Sequence, residues 1–480
     1  MKVFVHMIGI GLAVVGSAIC RAQALDIDLF QTRAAVSTTP AAPLIGDNAC
    51  GALPETRRLE LEDAVLQALC ANPQTRQAWA EARAQAAALG VADAAYLPQV
   101  NVTLGAEHDT LSTTYDIGGT TGNFRQSQNS SSTYGMLSLS WVLFDFGKRD
   151  AARRQAKALL AAANASQSSN LESVFLNTAQ AFYALSDAVA LQDAARRTEA
   201  IAKTSLAAAS AKHAAGAGTL GDELQARISY RSAVLDSTSA DGEVRAATGA
   251  LAVAMGLDAN THLRIAVPDS SVPPATPQTL AGIDELIEEA KRYQPRLIAA
   301  RAKVEAALAG VDAARAQARP TISLVGDLSQ NNPSFQQQPQ GLFSPQLKSS
   351  RGSSIGVQVT IPLFDGFAAG YRVSQASELV NAQIDELHDA ELQASLDVWT
   401  SYQAVETDAA NLDNTRDLLS DAMHALDVAQ GRYKEGVGSF SELIDAQTAL
   451  SDARKQRVLA ISKWRSDRLK LSASLGQLSL

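Results

Sequence analysis

Apolar and polar residues alternate in four short runs of the chain, and recur at steps of three or four through the long stretches between them. In the first run Val100, Val102, Leu104 and Ala106 point one way, and Asn101, Thr103 and Gly105 the other. Leu137, Leu139, Trp141 and Leu143 alternate with Ser138 and Ser140 in the second. Ile322, Leu324 and Leu328 alternate with Ser323 and Asp327, and Ile355, Val357, Val359 and Ile361 with Gly356, Gln358 and Thr360. A period of two marks a strand with one apolar and one polar face. The pattern predicts strands over about 99–108, 134–144, 321–330 and 353–363. Each is about ten residues, the span of a tilted transmembrane strand.

The remaining pattern is helical. A helix of about 35 residues is expected from Leu59 to Tyr96, and another from Ile283 to Ala318, each stopped by a proline. Two very long helices should follow the strand pairs, from about Lys148 to His213 and from about Ala368 to Lys434. At 1.5 Å per residue each is a rod of roughly 100 Å, too long for one compact core to wrap. Leu392, Leu396, Trp399, Tyr402, Val405, Ala409 and Leu412 form a seam for lengthwise packing. A Gly-x-Gly turn closes each rod, and a final helix of about 37 residues ends near Gly256 or Gly476.

These elements occur twice, about 220 residues apart. Pro73 matches Pro295, Leu97-Pro98 matches Arg319-Pro320, and Val142–Gly147 matches Pro362–Phe367. Gly216 and Gly218 match Gly436 and Gly438, and Met255-Gly256 matches Leu475-Gly476. Five anchors in one order indicate duplication of a whole unit, with a period too long for a solenoid. The predicted layout is a signal peptide (1–24), an irregular segment (25–58), a first repeat (59–266), a proline-rich linker (267–279) and a second repeat (280–480).

Composition narrows the compartment. Lys2, an uncharged apolar run to about Ala18, and Ala22-Gln23-Ala24 read as a cleaved secretory signal rather than a membrane anchor. Ile19 is too large to precede a lipidated cysteine, so Cys20 is expected to leave with the signal. Cys50 and Cys70 then face an oxidising compartment, where a disulfide tying the N-terminal segment to the first helix is expected; two free thiols are the alternative. A formal net charge of -9 with both signs interspersed carries no footprint of nucleic-acid binding.

After the signal no stretch has about 18 consecutive apolar residues, so a membrane could be crossed only by a β-barrel. One chain supplies four strands, and four strands cannot close a barrel. Two chains would make eight, with a bore filled by side chains; three make twelve, which suits a wider lumen. The loops Asp109–Ser132 and Asn331–Ser350 are polar and suit the outside, while Phe144, Phe146, Phe364 and Phe367 suit an interfacial girdle at the other end.

The duplicated Phe144-Asp145 and Phe364-Asp365 joints and the Gly216/Gly218 and Gly436/Gly438 tips resemble the TolC family of outer-membrane factors. The likeness covers about residues 50–478. The run from Cys50 through Pro73 to Trp79 resembles the type I secretion branch, which exports protein toxins such as adenylate cyclase-haemolysin. The resemblance implies a mixed fold: a homotrimer with a twelve-stranded β-barrel in the outer membrane and an α-helical coiled-coil tunnel in the periplasm. It also implies a periplasmic adaptor (membrane fusion protein) and an inner-membrane ABC transporter or proton-driven pump that open a passive duct for an exported protein. Glu442 and Asp445 match the acidic residues that line the family's periplasmic entrance, and a ring of them would favour cations. Tyr433 and Asp222 match positions that link inner and outer helix pairs, by a phenol donating to a carboxylate. Gly438 stands where the family has an arginine, so the second link of that lock departs from the pattern.

Two motifs point elsewhere and lack the needed context. Gly216-Ala217-Gly218-Thr219-Leu220-Gly221 follows a helix, whereas a dinucleotide loop follows a strand. Gly352-Ser353-Ser354-Ile355-Gly356 leads into a strand, whereas a nucleophile elbow leads into a helix, so a hydrolase built on Ser354 is disfavoured. The histidines have no metal-ligand spacing. No catalytic residue, metal or cofactor is expected. Multidrug or metal efflux is the alternative function, and a structural coiled-coil envelope protein the alternative class.

Overall fold

The computed structural model describes residues 28–46, 50, 58–116, 123–266, 282–331 and 349–478. The signal peptide, the proline-rich linker and most of the second strand-to-strand loop lie outside the described residues. In chain order the first repeat holds α1 (Leu61–Ala71), α2 (Pro73–Ala94), β1 (Gln99–Asp116), β2 (Asn123–Phe144), α3 (Lys148–Ala214) and α4 (Leu220–Ala254). The second holds α5 (Ile283–Tyr293), α6 (Pro295–Ala316), β3 (Thr321–Asn331), β4 (Ser350–Thr360), α7 (Ala368–Lys434) and α8 (Phe440–Ser474).

The first helix expected in each repeat is two helices. Proline pushes its predecessor into extended backbone, and Asn72 (ψ 131°) and Gln294 (ψ 122°) are both there. Each residue ends one helix and begins the next. Asn72 N–H donates to Ala68 O at 2.9 Å, and its Oδ1 accepts from Gln74 N–H at 2.8 Å. Gln294 N–H likewise donates to Ala290 O at 3.0 Å, but its side chain makes no cap.

The first two strands outrun the expected ten residues. β1 has 18 residues and β2 has 22, or about 60–75 Å at 3.3 Å per residue, against a hydrocarbon core of about 30 Å. The Ser- and Thr-rich stretch expected as loop continues the ladder, because its backbone groups pair across the hairpin as far as Asp116 and Asn123. β4 stops at Thr360, short of Ile361 and of Pro362, which has no N–H to give the ladder.

The four strands form one antiparallel sheet in the order β1-β2-β3-β4. Register aligns the apolar face across it. Val100 opposes Leu139, Leu139 opposes Gly326, and Gly326 opposes Ile355. Trp141 opposes Leu324, which opposes Val357. This face is exposed, although water gives it nothing to pack on.

Below the sheet the helices stand side by side. In the upper half the row runs α2, α3, α6, α7; in the lower half it runs α4, α3, α8, α7. The core is largely alanine with a few large anchors, such as Phe182, Leu171 and Leu69, which lets helix axes approach closely. No helix among the described residues is long and apolar enough to cross a membrane.

The N-terminal segment, expected to be irregular, carries two short helical turns, Thr32–Ala35 and Ala42–Ile45. It straps α2 to α3. Trp79 Nε1–H donates to Ser37 O at 2.8 Å, Asn164 Nδ2–H to Ala35 O at 2.9 Å, and buried Gln167 to Pro40 O at 3.0 Å. A disulfide joins Cys50 to Cys70 on α1, with Cα atoms 5.8 Å apart.

Candidate functional site

The ends of the rods farthest from the sheet carry the predicted site residues. Each rod stops on a glycine in the left-handed region: Gly216 at φ 73° and Gly436 at φ 78°. The turns close alike, with Ala217 N–H on Lys212 O at 2.8 Å and Val437 N–H on Arg432 O at 3.0 Å. The second glycines serve a different need. A Cβ at Gly218 would stand 3.0 Å from Lys212 Cβ, and one at Gly438 would stand 2.9 Å from Arg432 Cβ. A side chain at 438, the family arginine included, would require the turn to shift.

New helices then start on caps. Thr219 Oγ1 accepts from Asp222 N–H at 3.1 Å, and Asp222 Oδ2 accepts from Thr219 N–H at 3.4 Å. Ser439 Oγ accepts from Glu442 N–H at 3.1 Å. The tips pack on an apolar cluster of Ala209, Ala226, Leu426, Phe440 and Leu443. Inside the seam Gln447 Nε2–H donates to Ser205 Oγ at 2.8 Å.

Glu442 and Asp445 both lie exposed on α8, three residues apart. They differ in company: Glu442 Oε1 is 3.1 Å from Arg432 Nε. Tyr433 and Asp222 are brought near each other, but the expected phenol-to-carboxylate hydrogen bond is not what links the helix pairs. Asp222 turns its carboxylate to the Thr219 cap. It acts on Tyr433 through its charge, which adds to burial in raising the phenol above its ordinary range. The direct link is Lys212. Its Nζ–H donates to Tyr433 O at 2.7 Å and sits 3.9 Å from the centre of the Tyr433 ring, which also stacks edge-on with Phe440.

Lys212 and Arg432 were not singled out from the sequence. The duplication held the signal: both stand four residues before the left-handed glycine, 220 residues apart. Higher in the seam, burial pushes Glu172 up to about 7 despite the charge of Arg296, and Asp187 up to about 6 despite Ser462 and Arg465.

The misleading motifs fall as their context required. Gly216–Gly221 is a helix-to-helix turn, and Ser354 lies within β4, donating to Asp327 on β3. Among the described residues no group of three His, Cys, Asp or Glu side chains could hold a metal.

Comparison with known proteins agrees with this plan. The family model for outer membrane efflux proteins matches residues 64–257 and 286–477, one stretch in each repeat. Protein CyaE of Bordetella pertussis is 31% identical over 423 residues, covering 88% of this chain and 84% of that protein. Outer membrane protein TolC of Escherichia coli is 22% identical over 417 residues, covering 86% and 81%. Among solved structures, the outer membrane protein VceC of Vibrio cholerae superposes with a TM-score of 0.71 at 20% identity, over 87% of this chain and 96% of that one.

Proposed function

Because the chain belongs to the outer membrane efflux protein family, a family of channel proteins, we propose that three copies of it close into one export duct for a protein substrate. The protein is an outer-membrane channel of the TolC type, with its helices in the periplasm. One observation carries the trimer. The chain is open at the same two sides along its whole length: β1, α2 and α4 at one edge, β4 and α7 at the other. An open sheet edge in lipid leaves N–H and C=O groups unpaired, at several kcal/mol each. Copies set head to tail around an axis satisfy every edge. Three of them make twelve strands, enough for a lumen.

In the proposed duct the helix tips form the periplasmic gate. Lys212 on Tyr433 holds the inner and outer pairs together when shut. Asp445, which makes no ion pair among the described residues, supplies most of the entrance charge, and Glu442 is partly neutralised by Arg432. A periplasmic adaptor and an inner-membrane transporter pull the pairs apart. The match to Protein CyaE supports type I secretion over drug or metal efflux, and a protein toxin of the adenylate cyclase-haemolysin kind fits that branch.

Planar-bilayer recording tests the gate. The parent trimer should prefer cations, and Glu442→Ala/Asp445→Ala should lose that preference; equal selectivity in both would remove the acidic ring. Lys212→Met should raise the resting leak. Deletion of the gene should abolish release of one large protein while leaving drug sensitivity unchanged. The reverse pattern would favour efflux.

A further inference from the structure

At the foot of the sheet each repeat makes a corner, where a helix turns up into one strand and the next strand turns down into a rod. In the first repeat three large side chains fill it. Trp141 Nε1–H donates to Tyr96 O at 2.9 Å. The Arg149 guanidinium lies 4.7 Å from the centre of the Tyr96 ring, donates to Val142 O at 2.6 Å and pairs with Asp145 at 2.7 Å. The duplication places Ala318, Ile361 and Ala369 at the corresponding positions. With the plug reduced to two methyl groups and an isoleucine, the second corner is a cavity of about 740 Å³. Ala318, Leu363, Phe364, Phe367, Tyr371 and Arg372 line it.

We propose that this corner binds one phospholipid of the surrounding membrane per subunit, with an acyl chain in the cavity and its phosphate on Arg372. The proposal rests on the barrel standing in the outer membrane. Leu363 lies just past the end of β4, at the position where Leu143 of the first repeat lies on the apolar side of β2, so the cavity adjoins the apolar, lipid-facing side of the sheet. It lies at the strand ends, the depth of lipid headgroups. Arg372 is half-exposed and only loosely held by Asp365, at 3.5 Å, so it is free to turn to a phosphate.

A neighbouring copy covers only part of the corner, and the chain itself shows which part. β3 and α6 stand beside β2 and α3 as the next copy's β1 and α2 would stand beside β4 and α7. With that neighbour in place Leu143 and Phe144 are still 44% and 52% exposed, whereas Ala151 is buried. Their second-repeat counterparts, Leu363 and Phe364, are 91% and 76% exposed, and Tyr371, the counterpart of Ala151, is 78% exposed before the ring closes. Ring closure would remove only part of that surface. An apolar, aromatic floor of this size beside a cation suits a chain and a headgroup better than water.

Native mass spectrometry of the trimer, extracted from membranes in mild detergent, tests the site. The parent should retain phospholipid adducts, up to one per subunit, under activation that strips detergent. Ala318→Tyr/Ala369→Arg transplants two of the first repeat's three plug side chains and should lose them. Leu363→Glu, beside the cavity where the first repeat's Leu143 stays exposed, should lose them without filling the cavity, and Arg372→Gln should weaken them. Trimer mass and conductance should be unchanged in all three. A trimer that carries no retained phospholipid, or a Leu363→Glu protein that keeps the parent's complement, overturns the site alone. So does an Ile27→Cys/Tyr371→Cys crosslink that forms readily in membranes, since the N-terminal segment would then occupy the corner. A chain that never forms a membrane trimer overturns the duct as well.

Discussion

At the foot of β1 and β2, Tyr96, Trp141 and Arg149 close a corner that Ala318, Ile361 and Ala369 leave open at the foot of β3 and β4. The contrast recurs one helix lower. Asn72 spends its side chain on capping α2 and donates to Ala254 O at 3.0 Å, while Gln294 at the matching joint is buried with Oε1 unpartnered. The first repeat also carries the N-terminal strap and the disulfide. Duplication thus preserved backbone plan while the side chains diverged. The first repeat is braced at these joints, and the second is left looser at the same places.

The sharpest way to break that comparison is at the corners. Arg149→Ala strands the buried Asp145 carboxylate and removes its own bonds to strand carbonyls. It should cost about 3–5 kcal/mol. Arg372→Ala breaks a half-exposed pair and should cost under about 1 kcal/mol. Thermal melting of the two trimers decides; equal losses would mean that the corners are equally braced. Next, Cys50→Ser opens a loop whose ends are 20 residues apart and should cost about 3 kcal/mol in chemical denaturation, with no further loss on adding reductant. At the helix joints, Asn72→Ala should cost about 1 kcal/mol through the lost cap. Gln294→Leu should be neutral or stabilising, because it removes a buried acceptor with no donor.

The subtlest test is pH. Glu172 on α3, whose counterpart on α7 is Leu392, titrates near 7 in the folded chain against 4.5 unfolded, and Asp187 near 6 against 3.8. Burial raises both, so the folded state holds protons that the unfolded state has released. Stability is therefore greatest below about pH 4 on account of these groups, and declines as pH rises to about 7. Glu172→Gln should flatten the upper part of that decline, between about pH 5 and 7. An unaltered slope in melting scans would show that Glu172 does not titrate there.

Much of this was legible in the chain itself. The strands, the two rods, the glycine turns and the duplication follow from periods of two and about 3.6 and from residues with restricted backbones, all of which act locally. The break at Pro73 and Pro295 was legible too, but the continuous apolar period on either side masked it. The length of the first hairpin was not, because Ser and Thr serve a solvated strand as readily as a loop and the deciding groups are backbone. Glu442 and Asp445 were found as a pair, yet nothing local distinguishes the one that Arg432 neutralises.

By itself the sequence determined which segments are rods and which are strands, and that the unit occurs twice, since these depend on near neighbours and on side-chain chemistry alone. Only the tertiary structure decided which helix stands beside which, which cation reaches Tyr433, and which of two matching corners is filled. Those outcomes depend on groups far apart along the chain meeting at distances of a few ångströms, where replacing Tyr96 with Ala318 changes a packed joint into a cavity while leaving the backbone plan intact.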